Sequence, residues 1–224
     1  CQETVKNEGC NIKGVCGKTE ETANLQDLLI YVLKGLAFYA EKAKAAGALD
    51  SKYGRFTIEA LFATITNVNF DSGRIVELIR EALKLRNELK DKYGAERPAD
   101  LHDSAVWFSD DVAEFRKKAA EIGILSIENV DVRSLRMLLI YGIKGISAYA
   151  EHAAVLGFED EKIYDFIREA LISTTQDLSV DEMVAMVMRA GECAVNTMAL
   201  LDKANTSTYG NPEISKVNIG VRNN

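Results

Sequence analysis

Apolar residues recur at intervals of three and four along two well-separated stretches of this 224-residue chain. Leu25, Leu28, Leu29, Val32, Leu36, Tyr39, Ala40 and Ala43 form one stripe, and Leu135, Leu138, Leu139, Ile146, Tyr149 and Ala150 form another. This spacing marks an amphipathic α-helix with one face turned to a core. Gly47 and Gly157 follow the stripes where a left-handed residue would end each helix. A shorter helix follows in each case, over 56–68 and 161–177. A third opens at Asn69 in one series and Ser179 in the other, both good N-cap residues, and Ser179 with Glu182 makes a capping box. The third helices carry Ile75, Leu78, Ile79 and Ala82, then Val184, Val187, Met188, Gly191, Val195 and Met198.

The two series are one series written twice. Residues 25–72 align on 135–182 at a constant offset of 110, without a gap and with 20 identities in 48 positions. LLIY recurs at 28–31 and 138–141, Lys34-Gly35 at Lys144-Gly145, and Tyr39-Ala40-Glu41 at Tyr149-Ala150-Glu151. A tandem duplication of one helical module explains this. The predicted fold is all-α: two duplicated three-helix bundles, 21–93 and 124–204, behind an N-terminal loop over 1–20. A polar connector, 94–123, holds Pro98 and a short helix from Asp110 to Ile122. From Asn205 the chain is turn-rich, and SKVNIGV alternates like a β-strand without a partner, so 205–224 reads as the start of a following domain that is not present.

Composition agrees with a helical protein, 47% hydrophobic with only two prolines. A formal charge of −7 and a pI near 5.1 argue against nucleic acid or an anionic membrane as partner. No uninterrupted apolar run approaches the roughly 18–20 residues of a membrane span; the richest, 28–33, is soon stopped by Lys34. The expectation is a soluble, cytoplasmic protein.

Three of the four cysteines fall in the first sixteen residues, as Cys1, Cys10 and Cys16. Thiolates gathered in a short loop grip soft metal centres. Gly9, Gly14 and Gly17 would let backbone N–H groups approach cluster sulfurs, and Lys6, Lys13 and Lys18 would offset cluster charge. Structural zinc favours closer C-x2-4-C pairs. Disulfides need an oxidising compartment and an even set. An iron–sulfur cluster fits best, with a fourth cysteine expected upstream of Cys1.

CQET-x4-GC-x5-CGK followed by ETANLQDLLIY closely resembles the N-terminus of the hybrid cluster (prismane) proteins, or hydroxylamine reductases. The resemblance continues through LSVDEMVA at 178–185 and ANTSTYGNPEISKVNIGV at 204–221. It implies that Cys1, Cys10 and Cys16 are the last three of four ligands to a cubane [4Fe-4S] cluster, with the first three residues before Cys1. The same resemblance implies two further α/β-type domains carrying a hybrid iron–sulfur–oxygen cluster that reduces hydroxylamine, or nitric oxide. Electrons would come from a redox donor protein through the cubane, and residues 1–224 alone are not expected to be catalytic. Carbon monoxide dehydrogenases are a related alternative with a different cysteine pattern. A free-standing iron–sulfur electron carrier and a zinc-binding helical interaction module are the other readings.

Outside the loop, structural roles are expected. Cys193 is predicted to pack as a small hydrophobe. His152, at the position of Lys42, is read as a surface residue, and His102 as a solvated loop histidine. Tyr31, Tyr39, Tyr141 and Tyr149 are read as packing residues, and Gly35 and Gly145 as points of close helix approach.

Overall fold

The computed structural model describes residues 12–94, 101–123, 127–217 and 220. Among them are seven α-helices: α1 (Glu20–Ala45), α2 (Ser51–Ala63), α3 (Ser72–Tyr93), α4 (Val112–Glu121), α5 (Val130–Val155), α6 (Glu161–Ser173) and α7 (Val180–Tyr209). A 3-10 turn, Asp103–Ala105, precedes α4.

The duplication is visible helix by helix. α1 and α5 each have 26 residues, and α2 and α6 each have 13. Both pairs keep the offset of 110 at both ends. Asp50 and Asp160 cap α2 and α6, each accepting from the backbone N–H two residues on. Thr64 and Thr174 close the same helices, their hydroxyls donating to the carbonyls of Leu61 and Leu171. Leu29 and Leu139 are both fully buried. Gly47 and Gly157 take φ of 67° and 84°, the left-handed values expected of them.

The third helix is displaced. α3 is capped by Asp71 and not Asn69, while α7 is capped by Ser179 with its capping box intact, so the offset becomes 108. The second copy uses a turn two residues shorter. Asn69 instead accepts from the Asp71 N–H inside that turn. Other boundaries also differ from expectation: α2 begins at Ser51, α6 ends at Ser173, and Asp111 rather than Asp110 caps α4. α7 continues through Asn205 to Tyr209, where Gly210 at φ 82° ends it. Residues 211–217 form neither helix nor strand and are exposed.

Within each copy the long helices pair, α1 with α3 and α5 with α7. The short helices are exchanged between copies: α2 lies mainly against α5, and α6 against α1. The two predicted bundles therefore interlock around one continuous core. α7 contains a window of mean hydropathy 1.3, long and apolar enough by length and composition to cross a membrane, although charged residues interrupt its apolar runs. Its inner face, through Met183, Met186, Ala190 and Cys193, is buried within the fold.

Candidate metal centre

Of the three cysteines assigned to the metal site, Cys1 and Cys10 lie outside the described residues. Cys16 is half-buried at the tip of a tight turn. Lys13 and Thr19 form an antiparallel bridge at its base, the Gly14 N–H donates to the Lys18 carbonyl at 3.0 Å, and the Gly17 N–H donates to the Gly14 carbonyl at 2.9 Å. Gly17 has φ of 95°, a conformation an L side chain strains to adopt. The turn runs directly into α1, whose cap is Thr19. Cys16 is thus presented on a short hydrogen-bonded turn that leads directly into α1.

The cations around this loop are organised by the end of α2. Lys18 is buried, donating to Gln26 Oε1 at 2.9 Å and to the Ile65 carbonyl at 3.1 Å. Lys144 reaches the adjoining Thr64 carbonyl from α5. Two ammonium groups from distant parts of the chain therefore converge on one helix C-terminus, which favours positive charge. Burial nonetheless lowers Lys144 to about 8, Asp27 pulling it back up and Lys18 pushing it further down. Lys34, the repeat partner of Lys144, also falls to about 8 through burial, with Arg136 adding to the shift. Burial raises the carboxyl of Asp27 despite the nearby Lys144 and Lys34.

Among the described residues no three His, Cys, Asp or Glu side chains converge as a metal-binding group. Cys193 is 9% exposed in α7, and burial pushes its thiol up. That is the packing role expected of it. A groove of about 570 Å³ between α6 and α7 has Cys193 in its wall, with Arg189 and Lys203 nearby.

His102 departs from expectation. Its Nδ1 accepts from the Ser104 N–H, capping the 3-10 turn, and its ring tilts over Tyr31 with centroids 5.7 Å apart. Burial lowers its pKa. It is a packed structural residue, because Tyr31 comes 71 positions earlier in the chain and no local pattern could announce the contact. His152 is exposed as expected, edge-on to Phe62. Gly35 is a point of close approach, but to the 3-10 turn and not to a helix; a Cβ there would lie 2.0 Å from the Ser104 carbonyl oxygen. Gly145 has nothing within 4 Å of its Cβ position.

Residues 1–224 match the model of the Prismane/CO dehydrogenase family. The chain belongs to that family. Hydroxylamine reductases are similar along its whole length: that of Desulfitobacterium hafniense strain Y51 is 59% identical over 228 residues, that of Nitratidesulfovibrio vulgaris 59% over 232, and that of Halothermothrix orenii 54% over 232. Each alignment covers 100% of this chain and 42% of the relative, so the chain spans less than half the length of these curated relatives. All three of these relatives are named hydroxylamine reductase. Membership makes iron–sulfur chemistry the property to seek in the Cys16 loop.

Proposed function

We propose that this chain is the electron-relay region of a hydroxylamine reductase of the hybrid cluster type. Cys1, Cys10 and Cys16, with a fourth cysteine expected three residues before Cys1, would hold a [4Fe-4S] cluster. The observation that carries this reading is the match over residues 1–224, coinciding with a half-buried Cys16 on a glycine-bent turn. The described residues fit such a group. Thiolate-bound clusters carry net negative charge, and buried Lys18 stands two residues from Cys16 with Lys144 at the neighbouring carbonyl.

A cluster bound here would supply one-electron transfer. The chain's own work is to hold and tune it. The turn fixes the Cys16 Sγ, and Lys18 and Lys144 add positive charge that favours the reduced state. Hydroxylamine, or nitric oxide, would be reduced at a hybrid iron–sulfur–oxygen cluster in the remaining length of the protein, with electrons from a redox donor protein in the cytoplasm.

Anaerobic purification followed by iron and sulfide analysis and electron paramagnetic resonance tests the proposal. Expected are about four irons per N-terminal loop and a signal that Cys16→Ser abolishes or makes oxygen-labile. Zinc without iron would overturn it in favour of a structural metal site. A polypeptide of the relatives' full length should reduce hydroxylamine, and the 224-residue chain should not; equal turnover by both would place catalysis within these residues.

A further inference from the structure

We propose that the open face of α5 and α7 is the seat of the polypeptide that follows α7 in a chain of the relatives' full length. It would dock there as residues 101–121 dock on α1 and α3.

The first copy shows the covered state. The 3-10 turn lies over Gly35, with the Ser104 carbonyl where a Cβ would stand. Tyr31 donates its hydroxyl to Asp103 and meets the edge of Trp107. Arg86 of α3 clamps the same turn, donating to the carbonyls of Ser104 at 2.9 Å and Trp107 at 2.6 Å. Under this cover Leu28 is 0% and Tyr31 7% exposed.

The second copy keeps the residues and lacks the cover. Leu138 and Tyr141, identical to Leu28 and Tyr31 in the repeat, are 53% and 40% exposed. Tyr149 is exposed where Tyr39 is buried, and the space above Gly145 is empty. A glycine that costs helix stability is retained at the position where its twin admits a carbonyl. α7 carries the same message. At the offset of 108, exposed Arg80 and half-buried Asn87 and Lys90 of α3 become Met188, Val195 and Met198, all exposed. Apolar residues in place of two charged residues and an amide indicate a face meant to be covered.

The repeat also names the occupant. In the first copy the cover is the segment directly after the third helix. The corresponding segment of the second copy follows Tyr209; residues 211–217 are exposed and leave the face open, and the relatives, of which this chain covers 42%, have ample further length to cover it. A second copy of the chain fits poorly. Asp181 and Asp202 stand in heptad register with Met188 and Val195 at the two ends of the stripe. Pairing α7 with itself would set aspartate against aspartate in either direction, and like charges so placed destabilise.

This inference rests on the relatives' length and the repeat, not on the cluster, so loss of iron leaves it untouched. The test is methionine oxidation by peroxide, read by peptide mass spectrometry in a polypeptide of the relatives' full length and in the 224-residue chain. Met183, 2% exposed, is the protected internal control. Met188 and Met198 are expected to oxidise at least about tenfold more slowly in the longer polypeptide than in the shorter, approaching Met183. Equal, fast oxidation in both would overturn the proposal. Protection that grows with concentration of the 224-residue chain would assign the face to a second copy and also overturn it. Gly145→Ala gives an independent reading: Tm should rise in the 224-residue chain and fall in the longer polypeptide, and a rise in both would count against a docked backbone.

Discussion

Gly54 of α2 and Tyr164 of α6 occupy equivalent positions in the two copies, and they pack against each other: a Cβ on Gly54 would lie 2.6 Å from the Tyr164 ring. Equivalent residues meet only where an approximate twofold axis passes. Because the short helices are exchanged, that axis runs between α2 and α6. In a symmetric pair the same residue would have to face itself. Here the copies have diverged, one to no side chain and the other to a large ring filling the space. Tyr164 also donates its hydroxyl to Glu159 at 2.6 Å, which holds the ring over the glycine.

Gly54→Ala should therefore destabilise, although alanine is the better helix former. Overpacking costs about 1–3 kcal/mol against a propensity gain of about 1 kcal/mol. A net loss of up to about 2 kcal/mol is expected in urea unfolding. Gly191→Ala, with nothing within 4 Å of its Cβ position, is the control and should stabilise by up to about 1 kcal/mol. A Gly54→Ala variant as stable as that control would show that α2 and α6 do not meet as described.

The same exchange sets an ion pair on each side. Glu41 and Glu151 are repeat equivalents on α1 and α5, and each accepts from an arginine of the other copy's short helix: Arg168 Nε at 2.6 Å and Arg55 Nη2 at 3.0 Å. Their settings differ. The Glu151 side chain is 15% exposed and that of Glu41 54%, and burial raises the Glu151 carboxyl despite Arg55. Glu151→Ala strands a half-buried guanidinium and should cost about 1–3 kcal/mol. Glu41→Ala should cost less than about 1 kcal/mol, because Arg168 keeps Asp165 at 2.6 Å. Chemical denaturation of the two variants checks the order; the reverse order would be incompatible with these geometries.

Much of this arrangement can be read along the chain, and the unread part has a physical pattern. Apolar spacing located α1, α3, α5 and α7, and Gly47 and Gly157 marked two helix ends, because these are local properties. Asp50 and Asp160 were an unused signal: identical residues at equivalent positions, each the cap of a short helix, which would have moved α2 to its true start. The exchange of α2 and α6 was invisible because an apolar stripe shows which face is buried and not what buries it. The same limit hid the contrast between buried Tyr31 and exposed Tyr141, each of which closes an identical LLIY run. At the candidate site, cysteine spacing and family resemblance pointed to Cys16. The convergence of Lys18 and Lys144 on the end of α2 depends on residues 126 apart and has no local trace.

Lys34 and Lys144 make stability depend on alkaline pH. Both are lowered to about 8 by burial from 10.5. Between about pH 8 and 10.5 the unfolded chain binds more protons at these sites than the folded one, so stability rises with pH across that window. Below about pH 8 both ammonium groups are charged in either state and the burial penalty is fully present. Burial raises Tyr31, which opposes the trend once unfolded tyrosine ionises above about pH 10. The urea midpoint is therefore expected to increase from pH 7.5 to about 9.5. Lys34→Met should raise the midpoint at pH 7.5 and flatten the slope; an unchanged slope would mean that Lys34 titrates normally.

The two described cysteines should part company on substitution. Cys193 is packed in α7, its thiol raised by burial, and it belongs to no group of three His, Cys, Asp or Glu side chains among the described residues. Cys193→Ser places a hydroxyl where a buried thiol packs against the core and should cost about 1–2 kcal/mol, with iron content and the paramagnetic signal unchanged. Cys16 is half-buried on a turn held by Gly14, Gly17 and Lys18. Cys16→Ser removes one thiolate from a proposed set of four and should leave an oxygen-labile centre or none, while the helical far-ultraviolet signal persists, since α1 begins beyond the turn and keeps its Thr19 cap. Iron content and circular dichroism measured on both variants separate the two roles. Equal loss of iron from both would put Cys193 at the metal, and equal retention would take Cys16 away from it.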